Sequence, residues 1–150
     1  MRHRKHLRLD PGLYKQNRYF FVTVVSRMRD ALFAGPGRET VQAVLDGLTN
    51  RFPDWIIDTQ EIMPNHAHLI FECTSDKSTH SLGDVVGAFK SLVCREFRLQ
   101  SRNSQTVWQR NYYERIIRNE FELYAVREYI KRNPEKERFD WDEVIKEYKE

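Results

Sequence analysis

The sequence predicts an α+β protein: a four-stranded antiparallel sheet with helices packed on it and two further helices towards the C-terminus. Three observations carry that prediction. Segments rich in β-branched and aromatic residues alternate with segments whose apolar residues recur at helical spacing. Their order is β-α-β-β-α-β-α-α, and a β-α-β-β-α-β run closes naturally into one sheet with two helices on one face. No internal repeat or long linker divides the 150 residues, so residues 1–150 are expected to form a single domain with a real hydrophobic core.

The chain opens with a basic arm, residues 1–16, in which Arg2, Arg4, Lys5 and Arg8 join His3 and His6. Such an arm suits phosphates, and a frayed terminus would carry the same charges; charge alone does not separate the two. Tyr19 to Val25 is the clearest strand, and Gly35-Pro36-Gly37 then breaks the chain. A helix is expected from Glu39 to Arg51, with Val41, Val44, Leu45 and Leu48 on one face and Pro53 as its stop. Trp55 to Ile62 is the second strand. The tight link Met63-Pro64-Asn65 turns it back as an antiparallel hairpin into the third strand, His66 to Phe71. After a polar loop, Leu82 to Leu99 forms a long helix that buries Val86, Phe89, Val93 and Phe97. Tyr112 to Ile117 is the fourth strand. Helices over 120–132 and 141–148 complete the chain, the former stopped by Pro134, and residues 136–150 make a C-terminal helical tail. This arrangement is ferredoxin-like, the architecture of RNA-recognition modules.

Composition excludes several classes. Hydrophobic residues at 40% and charged residues at 31% describe a soluble globular protein. No apolar run reaches the length of a membrane span, and the basic N-terminus leads into no signal-peptide core. Cys73 and Cys94 lack metal-site spacing and read as reduced thiols of a cytoplasmic protein. A net charge of +3 permits a nucleic-acid partner without demanding one.

The chemistry concentrates in two places. His66 and His68, two apart on a strand, share one face while Ala67, Leu69 and Phe71 take the other. Two imidazoles so spaced grip one divalent ion from a single side and leave positions open for oxygen ligands or a phosphate. The plainer alternative is a pair of solvent-facing histidines on an edge strand. The second place is the 120–132 helix. Its apolar stripe is Leu123, Val126 and Ile130; Tyr129 sits at the flank, and Asn133 follows one turn later on Tyr129's face. A phenol, with a pKa of about 10, needs a nearby cation or metal to act as a nucleophile. Asn133 offers an amide oxygen to such a metal.

Met63-Pro64-Asn65-His66-Ala67-His68-Leu69 resembles the histidine-hydrophobic-histidine motif of single-tyrosine transposases. The run Trp108 to Asn119 is similar to the segment before their catalytic helix. Tyr129-Ile130-Lys131-Arg132-Asn133-Pro134 matches the Tyr-Ile-x-x-Asn-Pro signature of the REP-associated tyrosine transposases, and Phe89-Lys90-Ser91 fits the same branch. The resemblance spans residues 17 to 135. It implies metal-dependent cleavage and rejoining of single-stranded DNA beside hairpins, through a covalent 5′-phosphotyrosine. Tyr129 would be the nucleophile, and His66, His68 and Asn133 the ligands of Mg²⁺ or Mn²⁺. Arg4, Lys5, Lys90, Arg95 and Arg110 would grip the backbone of single-stranded DNA or a REP-like hairpin. A homodimer exchanging the tyrosine helix and a monomer are both compatible with it. Two other functions compete: a non-catalytic nucleic-acid-binding domain of the same fold, and a metal-dependent hydrolase that activates water.

Overall fold

Two strands of this chain are largely buried on both faces, and they form the centre of the sheet. In the computed structural model, which describes residues 18–101, 107–138 and 140–148, β1 (Arg18–Val25) and β3 (His66–Cys73) lie side by side. β2 (Trp55–Met63) flanks β3 and β4 (Tyr113–Ile117) flanks β1, giving the order β2-β3-β1-β4 with every pair antiparallel. This is the predicted ferredoxin-like sheet. The arm bearing Arg4 and Lys5 lies outside the described residues.

Strand alternation sorts β3 into two sets. Ala67, Leu69, Phe71 and Cys73 enter the larger core beneath α1 (Pro36–Arg51) and α2 (Leu82–Ser101), whose Val41, Leu45, Val86, Phe89 and Val93 are wholly or nearly wholly buried. His66, His68, Ile70 and Glu72 point the other way. That face is covered too. α3 (Glu120–Arg132) lays Leu123, Val126 and Ile130 on Phe21, Ile70 and Ile117, and Trp141 of α4 (Trp141–Tyr148) joins them. The expected stripes of α2 and α3 are therefore the observed ones.

Local chemistry sets the boundaries. α1 begins at Pro36, three residues before the expected Glu39, because proline is favoured at the first helical position. Gly35 precedes it at φ 55°, and a Cβ at Gly37 would lie 1.8 Å from the Leu32 carbonyl oxygen. Both positions require glycine. At α3, the Asn119 side chain accepts a hydrogen bond from the Glu122 amide (2.8 Å), capping the first turn. Asn133 closes the last turn through its own amide, which donates to the Tyr129 carbonyl (2.8 Å), and Pro134 bars continuation.

Candidate active site

The two-residue turn Pro64-Asn65 is held from outside the hairpin. Its carbonyls accept hydrogen bonds from the Phe33 amide (2.8 Å) and the Ser26 amide (2.9 Å). The start of β3 is thereby fixed, and with it the two histidines. His66 pairs across the ladder with Val25, and His68 with Thr23. β3 is an inner strand, so the edge-strand reading of the pair is excluded: His66 is 2% exposed and His68 fully buried.

Both imidazoles aim at one point. The Nε2 atoms of His66 and His68 lie 2.8 and 3.2 Å from a single oxygen, the carbonyl of Pro134, with ring centroids 4.8 Å apart. Each Nδ1 has its own partner, Asn65 Oδ1 at 2.7 Å for His66 and Thr23 Oγ1 at 2.9 Å for His68. A carbonyl only accepts, so the Nε2–H groups donate to Pro134 and the Thr23 hydroxyl donates to His68 Nδ1. With a cation in place of that carbonyl, the opposite tautomer, its lone pair on Nε2, would still be served at Nδ1, because a hydroxyl also accepts and so does the Asn65 amide oxygen. Burial, and next the neighbouring His66, push the His68 pKa down to about 4, so this ring is neutral at physiological pH. A neutral imidazole is the form that ligates a metal. The donor set thus fits a divalent cation: two convergent nitrogens with a carbonyl oxygen at hand.

Among the described residues, no three His, Cys, Asp or Glu side chains assemble a richer ligand group. Asn133 is half-buried at the end of α3, and its amide nitrogen faces back to the Tyr129 carbonyl at 3.4 Å. The oxygen that meets both imidazoles belongs to the next residue, Pro134. Tyr129 lies one turn upstream, 4% exposed, packed with Ala125 and with Val144 of α4 rather than with the sheet-facing stripe. Lys136 stands over its ring, with Nζ 6.0 Å from the centroid. The tyrosine helix and the histidine pair therefore meet within one chain, joined through residues 133–134.

The basic residues separate. Lys90 donates to the carbonyls of Gln109 (3.1 Å) and Arg110 (3.3 Å), and burial lowers its pKa. Its ammonium anchors the approach to β4. It also lines, with Arg98, Trp108 and Arg110, a cleft of about 340 Å³. Arg110 is exposed there, whereas Arg95 is exposed on another face of α2. Sequence reasoning missed Thr23, Asn65 as a histidine partner, and the Pro134 carbonyl. Asn65, beside His66, was the one legible signal; Thr23 becomes a neighbour only through strand register.

The fold of this chain has counterparts among solved structures. The structure of a REP-associated tyrosine transposase bound to a REP hairpin superposes with a TM-score of 0.67, at 20% identity, over 78% of this chain and 66% of that one. The likeness thus spans just under two thirds of that protein. A putative transposase from Deinococcus radiodurans superposes with a TM-score of 0.59, at 16% identity, over 77% of this chain and 90% of the other. An uncharacterized protein of Haemophilus influenzae is 30% identical over 164 residues, covering 88% of each chain. The model of the IS200-like transposases matches residues 14–133. This chain belongs to the IS200-like transposase family, whose enzymes act in DNA transposition.

Proposed function

We propose that this protein is a metal-dependent transposase of the REP-associated branch, cleaving and rejoining single-stranded DNA beside a hairpin through a covalent bond to Tyr129. The observation that carries the reading is the single oxygen shared by His66 and His68, which lies five residues after Tyr129 on the same chain. His66 and His68, with Asn133 as an oxygen ligand, would hold Mg²⁺ or Mn²⁺, which would supply charge neutralisation at the phosphate. Thr23 and Asn65 hold the two rings in register.

In the first step the Tyr129 oxygen attacks phosphorus, the bond to the 3′ oxygen breaks, and the proton lost by the phenol is balanced by the one gained by the departing 3′-hydroxyl. In the second, another 3′-hydroxyl attacks the phosphotyrosine, and Tyr129 leaves with a proton. Bond energy is conserved, so no nucleotide cofactor enters. Arg110 and Arg95 offer exposed charge to the DNA backbone, with Arg4 and Lys5 in the same role on the basic arm; Lys90 shapes the groove beside Arg110.

Tyr129→Phe tests the assignment. Incubated with a labelled hairpin bearing a single-stranded flank and Mn²⁺, the wild type is expected to give a protein–DNA adduct on denaturing gels. The variant gives none, yet binds the hairpin within about twofold of wild type. Strand scission undiminished in the variant would remove Tyr129 from the chemistry. A free 5′-phosphate without adduct would favour water activation.

A further inference from the structure

A second cleft, of about 390 Å³, opens beside the histidine pair, between the end of β1, the approach to β4 and the segment after α3. Its size falls in the range of roughly 300–1,000 Å³ typical of small-ligand sites. Thr23 forms part of its wall, and the same side chain bonds His68. The ladders set His68, Thr23 and Tyr113 in a row across three adjacent strands. Strand spacing puts Tyr113 roughly 10 Å from His68. The rings of the neighbouring row bridge that gap, with Phe21 5.8 Å from both the His68 and the Tyr113 rings. Whatever fills this cleft therefore adjoins whatever is held at the histidines.

The lining has the chemistry of a nucleotide subsite. Tyr113 is 38% exposed and lines the cleft with an aromatic ring, the group on which unpaired bases stack. Gln109 and Asn111 bring carboxamides, the groups that read base edges with paired donors and acceptors. Arg29 and Arg138 bring cationic groups, and Glu137 brings the carboxylate that pairs with Arg29. Arg29 is also held deliberately. It and Met28 are consecutive non-glycine residues in the left-handed region, φ 56° and 57°, and its Nε donates to both Glu137 carboxylate oxygens at 3.0 and 3.1 Å. Such backbone strain persists where surrounding contacts over-determine it, and it concentrates at functional positions.

We infer that this cleft takes the base of the unpaired nucleotide adjoining the scissile phosphate, with Gln109 and Asn111 reading its edge and Tyr113 stacking on it. The inference rests on the transposase reading for its substrate, but its test needs no chemistry. In a Tyr129→Phe background, affinity is measured for a bare hairpin, for the hairpin with its single-stranded flank, and for the flanked hairpin made abasic on either side of the scissile position. The Gln109→Ala/Asn111→Ala pair is compared, with thermal melting to verify folding. The pair is expected to weaken the flanked hairpin about tenfold and leave the bare hairpin within twofold. One abasic position should cost the parent a similar factor and cost the pair nothing further. Equal weakening of bare and flanked hairpins, or an abasic penalty unchanged in the pair, overturns the inference. Adduct formation by the Tyr129 protein is scored separately, so the cleft falls alone if coupling is absent while capture persists. It survives as a nucleotide site if coupling holds and capture fails.

Discussion

At the scale of single residues, the least conspicuous side chain near the histidines is the most informative. Thr23 is 2% exposed, belongs to neither hydrophobic stripe, and touches His68 Nδ1. A hydroxyl there serves the ring whichever nitrogen carries the proton; valine, of the same shape, serves neither state. Thr23→Val is expected to weaken Mn²⁺ binding about tenfold in titration calorimetry, the usual cost of losing an outer partner of a metal ligand. Thr23→Ser, keeping the oxygen, should stay within a few-fold of wild type. Equal losses in both variants would mean that the methyl group, and hence packing, is what matters.

At the scale of elements, α3 is seated by more than its apolar stripe. Arg127 forks onto Asp58, with Nε 2.9 Å from one carboxylate oxygen and a terminal nitrogen on the other, at the place where β2 bulges between Ile57 and Thr59. Burial opposes ionisation of Asp58, but the hydrogen bonds from Arg127 and Thr59 outweigh it and hold the carboxyl below its ordinary value. A carboxylate with a depressed folded pKa stabilises the fold fully above its unfolded value and loses that contribution as pH falls through the folded one. The stability gap between wild type and Asp58→Asn should therefore be widest above pH 4 and shrink below it in denaturant titrations. A gap independent of pH would mean that shape alone matters. α4 acts on the opposite flank of α3, where Val144 covers Tyr129. Val144→Glu, which unseats that contact, is expected to raise the initial rate of adduct formation several-fold; a slower rate would make α4 part of the working site.

At the scale of the molecule, helices on both faces make Phe21 the keystone of the smaller core, fully buried between β3, β4 and α3. Phe21→Ala should cost about 3–5 kcal/mol in urea unfolding, as truncations of buried phenylalanine do, and loosen His68 and Tyr113 together. Much of this architecture is legible in the chain. The stripe Val86, Phe89, Val93 and the hairpin around Pro64-Asn65 follow from local periodicity and turn chemistry, and the four strands and four main helices lie within a few residues of expectation. The histidine pair and Tyr129's flank position follow from the same arithmetic. What local pattern does not carry is partnership between distant segments. The Thr23–His68 pair is 45 residues apart, the contacts of His66 and His68 with Pro134 span 68 and 66, and the Lys90 bonds to the Gln109 and Arg110 carbonyls span 19 and 20. Periodicity also said nothing of the second layer of helices that buries the histidine face.

Because one carbonyl at the end of the tyrosine helix answers both imidazoles, occupancy at the histidines and the seating of that helix are a single thermodynamic quantity seen from two ends. An ion that competes for those nitrogens must loosen the helix terminus by the same free energy with which a lifted terminus sharpens the pair's affinity for the ion. On the proposed reading, a cation's arrival at the histidines and the loosening of the segment that follows Tyr129 are reciprocal events.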